Sequence, residues 1–272
     1  MRIAITGGTG LVGRFIVADA LAAGDGVLAL SRPDYRLGDR PDLSGCDALV
    51  HCAFHHAPGR YRGGEADDPA GFISANLDGT VALFEAAKAA GVARAIFLST
   101  RAVYDGYPPG TCLTEDLPPL PTTLYGQVKW DAEQALQALN GPGFSTAAIR
   151  ATGIYGPGPG HKWTGLFADF LAGRPISSRR STELHGADLA TAVRLLLGCT
   201  AQGTFNASDI LLDRHDLLMR VKSLTASPHI PPPSSDTPIS VMCCDNLQAL
   251  GWQPAGWAGL ERTLPQLVKD AG

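Results

Sequence analysis

The chain has 272 residues, enough for one large domain with a smaller annex, and its 45% hydrophobic and 18% charged residues exclude a disordered chain. A formal net charge of -4 gives no electrostatic footing for nucleic acid or an anionic membrane surface as partner. No apolar run approaches the roughly 20 residues that span a bilayer, and "MRIAITGG" enters a strand without a secretory leader, so a cytoplasmic protein is expected.

In chain order, "RIAIT", a helix over about 11–23, "GVLALS", "DALVHCA", a helix from Asn76 to Ala90, "ARAIFLS", a helix over about 124–139 and "STAAIRA" alternate strand with helix. That alternation predicts an α/β fold, a Rossmann-like doubly wound parallel sheet covered on both faces, over residues 1–152. Between "LALS" and "DALVH" there is room only for a brief third strand with almost no helix behind it. From 153 onward, loops such as "YGPGPGHKW" and "SPHIPPPSSDTP" predict a small C-terminal substrate-binding lobe made of 153–185 and 206–272. Residues 186–205, with the apolar stretch "GADLATAVRLLL", are expected to pack back on the main sheet. The cysteines at 46, 52, 112, 199, 243 and 244 include no C-x-x-C pair and read as reduced, mostly buried thiols.

Thr6, Gly7, Gly10 and Gly13 spell T-G-x-x-G-x-x-G between the first strand and the first helix. Such a turn lets backbone approach a pyrophosphate while the N–H groups of the helix start face it, so Gly7, Gly10, Leu11, Val12 and Gly13 are expected to hold a dinucleotide. The second strand ends on Ser31 and Arg32 rather than on an acid. That favours NADP(H) over NAD(H), although Asp34 keeps NAD(H) open.

In "LYGQVK", Tyr125 and Lys129 stand four apart on one helix face. An ammonium beside a phenol favours the phenolate, so Tyr125 could exchange a proton near neutral pH. Thr100, at the C-terminal end of its strand, lies where a parallel sheet places ligand contacts, and its hydroxyl could hold a substrate oxygen.

Taken in order, "TGGTGLVG", "DALVHCA", "NLDGT", "FLSTRAVY", "LYGQVK", "RATGIYGPG", "ELHGADLA" and "NLQALGWQP" resemble the extended short-chain dehydrogenase/reductases, the NAD(P)-dependent epimerase/dehydratase family. The resemblance implies Tyr125 as general acid/base, Lys129 also on the nicotinamide ribose, and Thr100 completing a triad. It implies that Cys52, Ala53, Phe54 and Ser99 line the cofactor, that Asn76 supports the strand or touches the ribose, and that Thr152 lies near the nicotinamide. Asp39 resembles an adenine contact, and a homodimer is implied. Two departures bear on function. Nucleotide-sugar dehydratases of the family carry Asp-Glu where Arg101 and Ala102 stand here, and the sugar-nucleotide epimerases carry Asn in place of Gly153.

The expected activity is therefore hydride transfer to or from a small carbonyl or hydroxyl substrate, a sugar, sugar acid or related compound. A sugar or nucleotide-sugar epimerase with retained cofactor is the alternative, and a non-catalytic dinucleotide-binding protein the second. His55, His56, Arg60 and Arg62 in "FHHAPGRYRGGE", with Arg101, Gly153, His161, Lys162 and Arg180, are candidate substrate contacts that would suit an anionic compound. His185 reads as a structural residue at a helix start. No metal site is expected, since His55 and His56 have no carboxylate or thiol at ligand spacing.

Overall fold

The protein is described by a computed structural model covering residues 1–56, 65 and 67–271. Strand β1 (Arg2–Thr6), helix α1 (Gly13–Ala22), β2 (Gly26–Leu30) and β3 (Ala48–His51) come first. They lead to α2 (Pro69–Ile73), a π-helical turn (Ser74–Asp78), α3 (Gly79–Ala89) and β4 (Arg94–Thr100). A 3-10 turn (Arg101–Tyr104), β5 (Cys112–Leu113), α4 (Leu124–Leu139) and β6 (Ser145–Ala151) follow. The remainder is β7 (Gly153–Tyr155), α5 (Thr164–Leu171), β8 (Arg180–His185), α6 (Gly186–Leu197), β9 (Gly203–Ala207), β10 (Ile210–Asp213), α7 (Arg214–Thr225), β11 (Val241–Met242), α8 (Asp245–Ala249) and α9 (Gly256–Ala271).

Six strands form one parallel sheet in the order β2-β1-β3-β4-β6-β9. Alternate residues of each strand enter opposite layers, as the period of two requires. Ile3, Ile5, Val50, Ile96 and Ile149 meet Ile16 and Ala20 of α1 and Leu189, Val193 and Leu196 of α6. On the other face Ala4, Leu49, Ala95, Phe97 and Ala148 meet Leu83, Phe84 and Ala87 of α3 and Ala132 and Leu136 of α4. The small residues on that second face allow the aromatic rings of Phe84 and Phe97 to fit between sheet and helices.

Several expectations need correction. Residues 31–47 form turns and irregular chain, so β2 is followed directly by β3 with no strand between. The helix expected from Asn76 begins seven residues earlier: Asp68 caps α2 by accepting the Gly71 N–H at 2.8 Å and Pro69 fills its first position. Asn76 itself lies in the π-helical turn.

A second core joins Tyr155, Trp163, Phe167 and Phe170 to Leu217, Leu218 and Val221 of α7 and Leu260 and Leu264 of α9. A three-stranded sheet, β10-β8-β7, borders it. The span 206–272 does not belong to this lobe throughout. Cys244, Leu247 and Trp252 pack in the main core, and Trp252 Nε1 donates to the Asp188 carbonyl at 2.9 Å.

The expectation of six reduced thiols also fails. β5 and β11 run parallel, pairing Cys112 with Val241 and Leu113 with Met242, which brings Cys112 and Cys243 to a Cα separation of 6.5 Å, joined as a disulfide. Cys46, Cys52, Cys199 and Cys244 are free. Among the described residues no helix is long and apolar enough to cross a membrane.

Candidate active site

The glycine turn is held by contacts that tolerate no side chain. Gly7 has φ +66° and lies so close to β3 that a Cβ there would stand 2.9 Å from the Ala53 backbone; at Gly13 a Cβ would stand 2.9 Å from the Cα of Gly8. Gly7 donates to the Leu30 carbonyl at 2.8 Å and Gly10 to that of Gly7 at 2.9 Å. The first residue of α1 to donate back into the turn is Arg14, to Gly10 at 3.3 Å, and no side-chain hydrogen bond caps the helix at Val12. The N–H groups of Leu11 to Gly13 therefore precede the intrahelical ladder, the condition under which a helix start receives an anion.

Beneath the turn, Thr6 Oγ1 accepts the N–H groups of Cys52 and Ala53, both at 3.1 Å. Its own hydrogen then goes to His51 Nδ1 at 2.6 Å, which leaves Nε2 protonated to donate to Thr80 Oγ1 at 2.9 Å. Burial, aided by the charge of Lys129, pulls His51 down to about 3, so the ring is neutral. This relay binds the ends of β1 and β3 to α3.

Thr100 ends β4, and its Oγ1 accepts the Ala102 N–H at 3.2 Å, which leaves the hydroxyl hydrogen to donate elsewhere. Thr123 caps α4 by accepting the Gly126 N–H at 3.1 Å. A Cβ on Gly126 would lie 2.7 Å from the Ala102 carbonyl oxygen, so only glycine lets this first helical turn, and Tyr125 with it, settle against the turn that follows Thr100. Lys129 is 4% exposed; its Nζ donates to the Leu98 carbonyl at 2.7 Å. Burial pulls it down to about 8, with Cys52 and Glu133 opposing. The thiol of Cys52 is pushed up to about 12 by burial and is neutral.

A model of the NAD dependent epimerase/dehydratase family matches residues 3–206. The chain belongs to that family. It is 33% identical over 177 residues to a 4-hydroxy-2-methyl-3-oxo-4-farnesyl-3,4-dihydroquinoline-1-oxide ketoreductase of Stigmatella aurantiaca, a match covering 57% of this chain and 51% of that one. With a dTDP-6-deoxy-L-talose 4-dehydrogenase (NAD(P)(+)) of Kitasatospora kifunensis the identity is 27%, across 99% of this chain and 94% of the relative. Among solved structures, the UDP-glucose 4-epimerase of Thermus thermophilus in complex with NAD superposes with TM-score 0.80 at 25% identity, covering 100% and 99% of the two chains. The protein is thus an NAD(P)-dependent enzyme of the extended short-chain dehydrogenase/reductase type, with the Rossmann-like sheet of its neighbours.

For an epimerase/dehydratase-family enzyme, the glycine turn and the uncapped α1 could hold the pyrophosphate of the dinucleotide. Ser31 Oγ accepts the Thr9 N–H at 3.3 Å, joining the end of β2 to the turn, and Arg32 beside it is exposed. Asp39 is exposed and its carboxylate accepts the Arg36 N–H at 2.6 Å. Asn76, 2% exposed, grips the backbone of His55: Oδ1 accepts its N–H at 2.7 Å and Nδ2 donates to its carbonyl at 2.8 Å.

Three of the expected contacts turn elsewhere. Ser99 is buried and its hydroxyl donates to Glu133, which also takes the guanidinium of Arg150 in a buried ion pair, so that hydroxyl is committed within the core. Thr152 spends its hydroxyl on the Thr182 carbonyl at 2.8 Å. His161 is 3% exposed; Nε2 donates to the Leu267 carbonyl at 2.8 Å and Nδ1 accepts the Trp163 N–H at 3.2 Å, leaving the ring no edge for substrate.

Lys162 is ion-paired with the buried Glu183, and the missing Cβ of Gly153 makes the space for that ammonium. Arg180 opens β8 three residues before Glu183, about 10 Å up the strand. Arg101 reaches the Ser240 carbonyl at 3.1 Å and Asp105 at 3.4 Å. His185 caps α6, its Nδ1 accepting the Ala187 N–H at 3.1 Å. His55 is exposed and His56 half-buried; Arg60 and Arg62 lie outside the described residues. Sequence reasoning missed Gly126, Glu133 and Glu183. The glycine inside "LYGQVK" was the available signal for the first, whereas the two carboxylates gain meaning only from partners distant in sequence.

Proposed function

We propose that the protein is a reductase or dehydrogenase acting on a small carbonyl or hydroxyl compound, with Thr100, Tyr125 and Lys129 as its catalytic residues. The observation that carries this reading is the approach of α4 to the turn after Thr100, made possible by Gly126, with the buried Lys129 one helical turn beyond Tyr125. Bound NAD(P) would supply or accept the hydride at the substrate carbon. Thr100 donates its hydroxyl hydrogen to the substrate oxygen and holds it still. Tyr125 gives that oxygen a proton in the reducing direction or takes one in the oxidising direction. Lys129, held by the Leu98 carbonyl, favours the negative phenolate left on Tyr125.

Arg101 and Ala102 support redox chemistry over elimination of water, since neither is an acid/base carboxyl group. The space beside Gly153, filled by the Lys162–Glu183 ion pair where the sugar-nucleotide epimerases carry an Asn side chain, supports a substrate other than a nucleotide-sugar. Exposed Arg32, with no acid at the end of β2, supports NADP(H). A homodimer and a cytoplasmic location rest on the sequence reading alone.

The test is a cofactor-coupled screen of sugars, sugar acids and small carbonyl compounds, followed at 340 nm with NADPH and NADH in parallel. A substrate oxidising NADPH in preference is the expected result. Turnover without net absorbance change, with cofactor retained through purification, would instead establish the epimerase alternative. Tighter binding of NAD(H) in side-by-side titrations would remove the NADP(H) preference.

A further inference from the structure

The ammonium of Lys129 lies between two aromatic faces. Its Nζ is 4.7 Å from the ring centroid of Phe54 and 4.5 Å from that of Phe97. Phe97 is in β4, fixed in the core; Phe54 is in the loop after β3, half-buried, and meets Tyr125 edge-on at 5.1 Å and 87°. That loop is itself held. Asn76 binds both backbone groups of His55, and Phe72 of α2 packs against the Phe54 ring at 5.5 Å. One side chain thus touches both members of the catalytic pair.

We propose that Phe54 is a positioning residue, closing with Phe97 an aromatic clamp that keeps Lys129 an ammonium and steadies the ring of Tyr125. The face of an aromatic ring carries partial negative charge, so it stabilises a cation without the full charge that would hold the ammonium away from the phenol. A carboxylate at the same place would neutralise Lys129 and repel a phenolate. Among the described residues the ionisable groups whose charge Lys129 meets are His51 and Cys52 at and just after the end of β3 and Glu133 on α4, with Tyr125 one helical turn before it. His51 and Cys52 are neutral, and Glu133 is engaged by Arg150 and Ser99. The rings therefore compensate the buried charge on the side where, among the described residues, no carboxylate bonds the ammonium.

The proposal rests on Tyr125 and Lys129 being the catalytic pair, but its test is read without turnover. The chain has five lysines, so protein labelled with 13C at the lysine ε-carbon gives few resonances, and Lys129→Met assigns the one of interest. Its titration midpoint is measured by NMR in the wild type, in Phe54→Leu and in protein carrying pentafluorophenylalanine at 54. The fluorinated ring keeps the shape of phenylalanine but loses its negative face.

Loss of one ring face is expected to lower the midpoint by about one pH unit in both variants, with Phe54→Tyr at the wild-type value. An unchanged midpoint in the fluorinated protein overturns the proposal, whether or not Phe54→Leu folds. If the midpoint moves as expected but no substrate is ever turned over, the clamp stands and the proposed reaction falls.

Discussion

Tyr125 and phenylalanine differ by one oxygen, and that oxygen is the group assigned to move the proton. The ring's edge contact with Phe54 uses carbon and hydrogen only, so Tyr125→Phe keeps the packing and leaves the glycine turn untouched. Turnover of the substrate found by the screen is expected to fall about 10²–10⁴-fold with cofactor affinity nearly unchanged; wild-type turnover in Tyr125→Phe would remove it from the mechanism. That Tyr125 and Lys129 share one helix was legible in the sequence, because a spacing of four places two side chains on one helix face whatever the tertiary structure. The hydroxyl partners of Ser99 and Thr152 were not legible, for the opposite reason. A hydroxyl can satisfy itself on a partner far away in sequence, Glu133 for one and Thr182 for the other, and nothing in its neighbours announces the choice.

At the level of elements, the site depends on two close approaches, and each can be tested separately. Gly126→Ala puts a methyl 2.7 Å from the Ala102 carbonyl oxygen and 3.0 Å from Pro121 Cβ. Backbone cannot yield as a flexible side chain would, so α4 must shift and carry Tyr125 with it. A loss of about 10²-fold in kcat/KM is expected while the fold persists, because small misplacements of reacting groups have that effect; unimpaired kinetics would show that the approach does not set the geometry.

The second approach runs through His51, which joins β1, β3 and α3. Its folded value of about 3 lies below the ordinary 6.5 of the unfolded chain. Between those limits the unfolded state binds the extra proton, so this contribution to stability is present above about pH 6.5 and lost as pH falls toward 3. The slope is about 1.4 kcal/mol per pH unit for the one proton. Urea unfolding at pH 7.0 and 5.5 should show this acid loss reduced in His51→Gln; an equal pH dependence in both proteins would assign the loss to other groups. Strands β1 to β4 and β6 and helix α4 were readable from periodicity, but α2 and the short later strands were not; "DDPAG" shows its helix start only once Asp68 is seen capping it.

Across the whole molecule, the change in texture after 153 suggested a sheet domain and a lobe, yet the chain crosses between the main cores and the second core more often than that texture shows. Arg14, one residue into α1, donates to the carbonyls of Gly156 at 3.3 Å and Pro159 at 3.2 Å, tying the glycine turn to the loop after β7. The segment that leaves α7 returns through β11 to place α8 and Trp252 in the main core. Cys112 and Cys243 fasten that return to the loop that follows Thr100, across a sequence separation of 131. Sequence spacing could not reveal the pair, since only the parallel meeting of β5 and β11 brings the two together. Denatured without reductant, the protein should titrate four thiols, those of Cys46, Cys52, Cys199 and Cys244, and six after reduction. A crosslink closing so long a loop restricts the unfolded chain by about 4–5 kcal/mol, so reduction, or Cys112→Ser, should lower the melting temperature by several degrees. Six thiols before reduction would show the chain held there by β5–β11 pairing alone, and the melting temperature would then not respond to reductant.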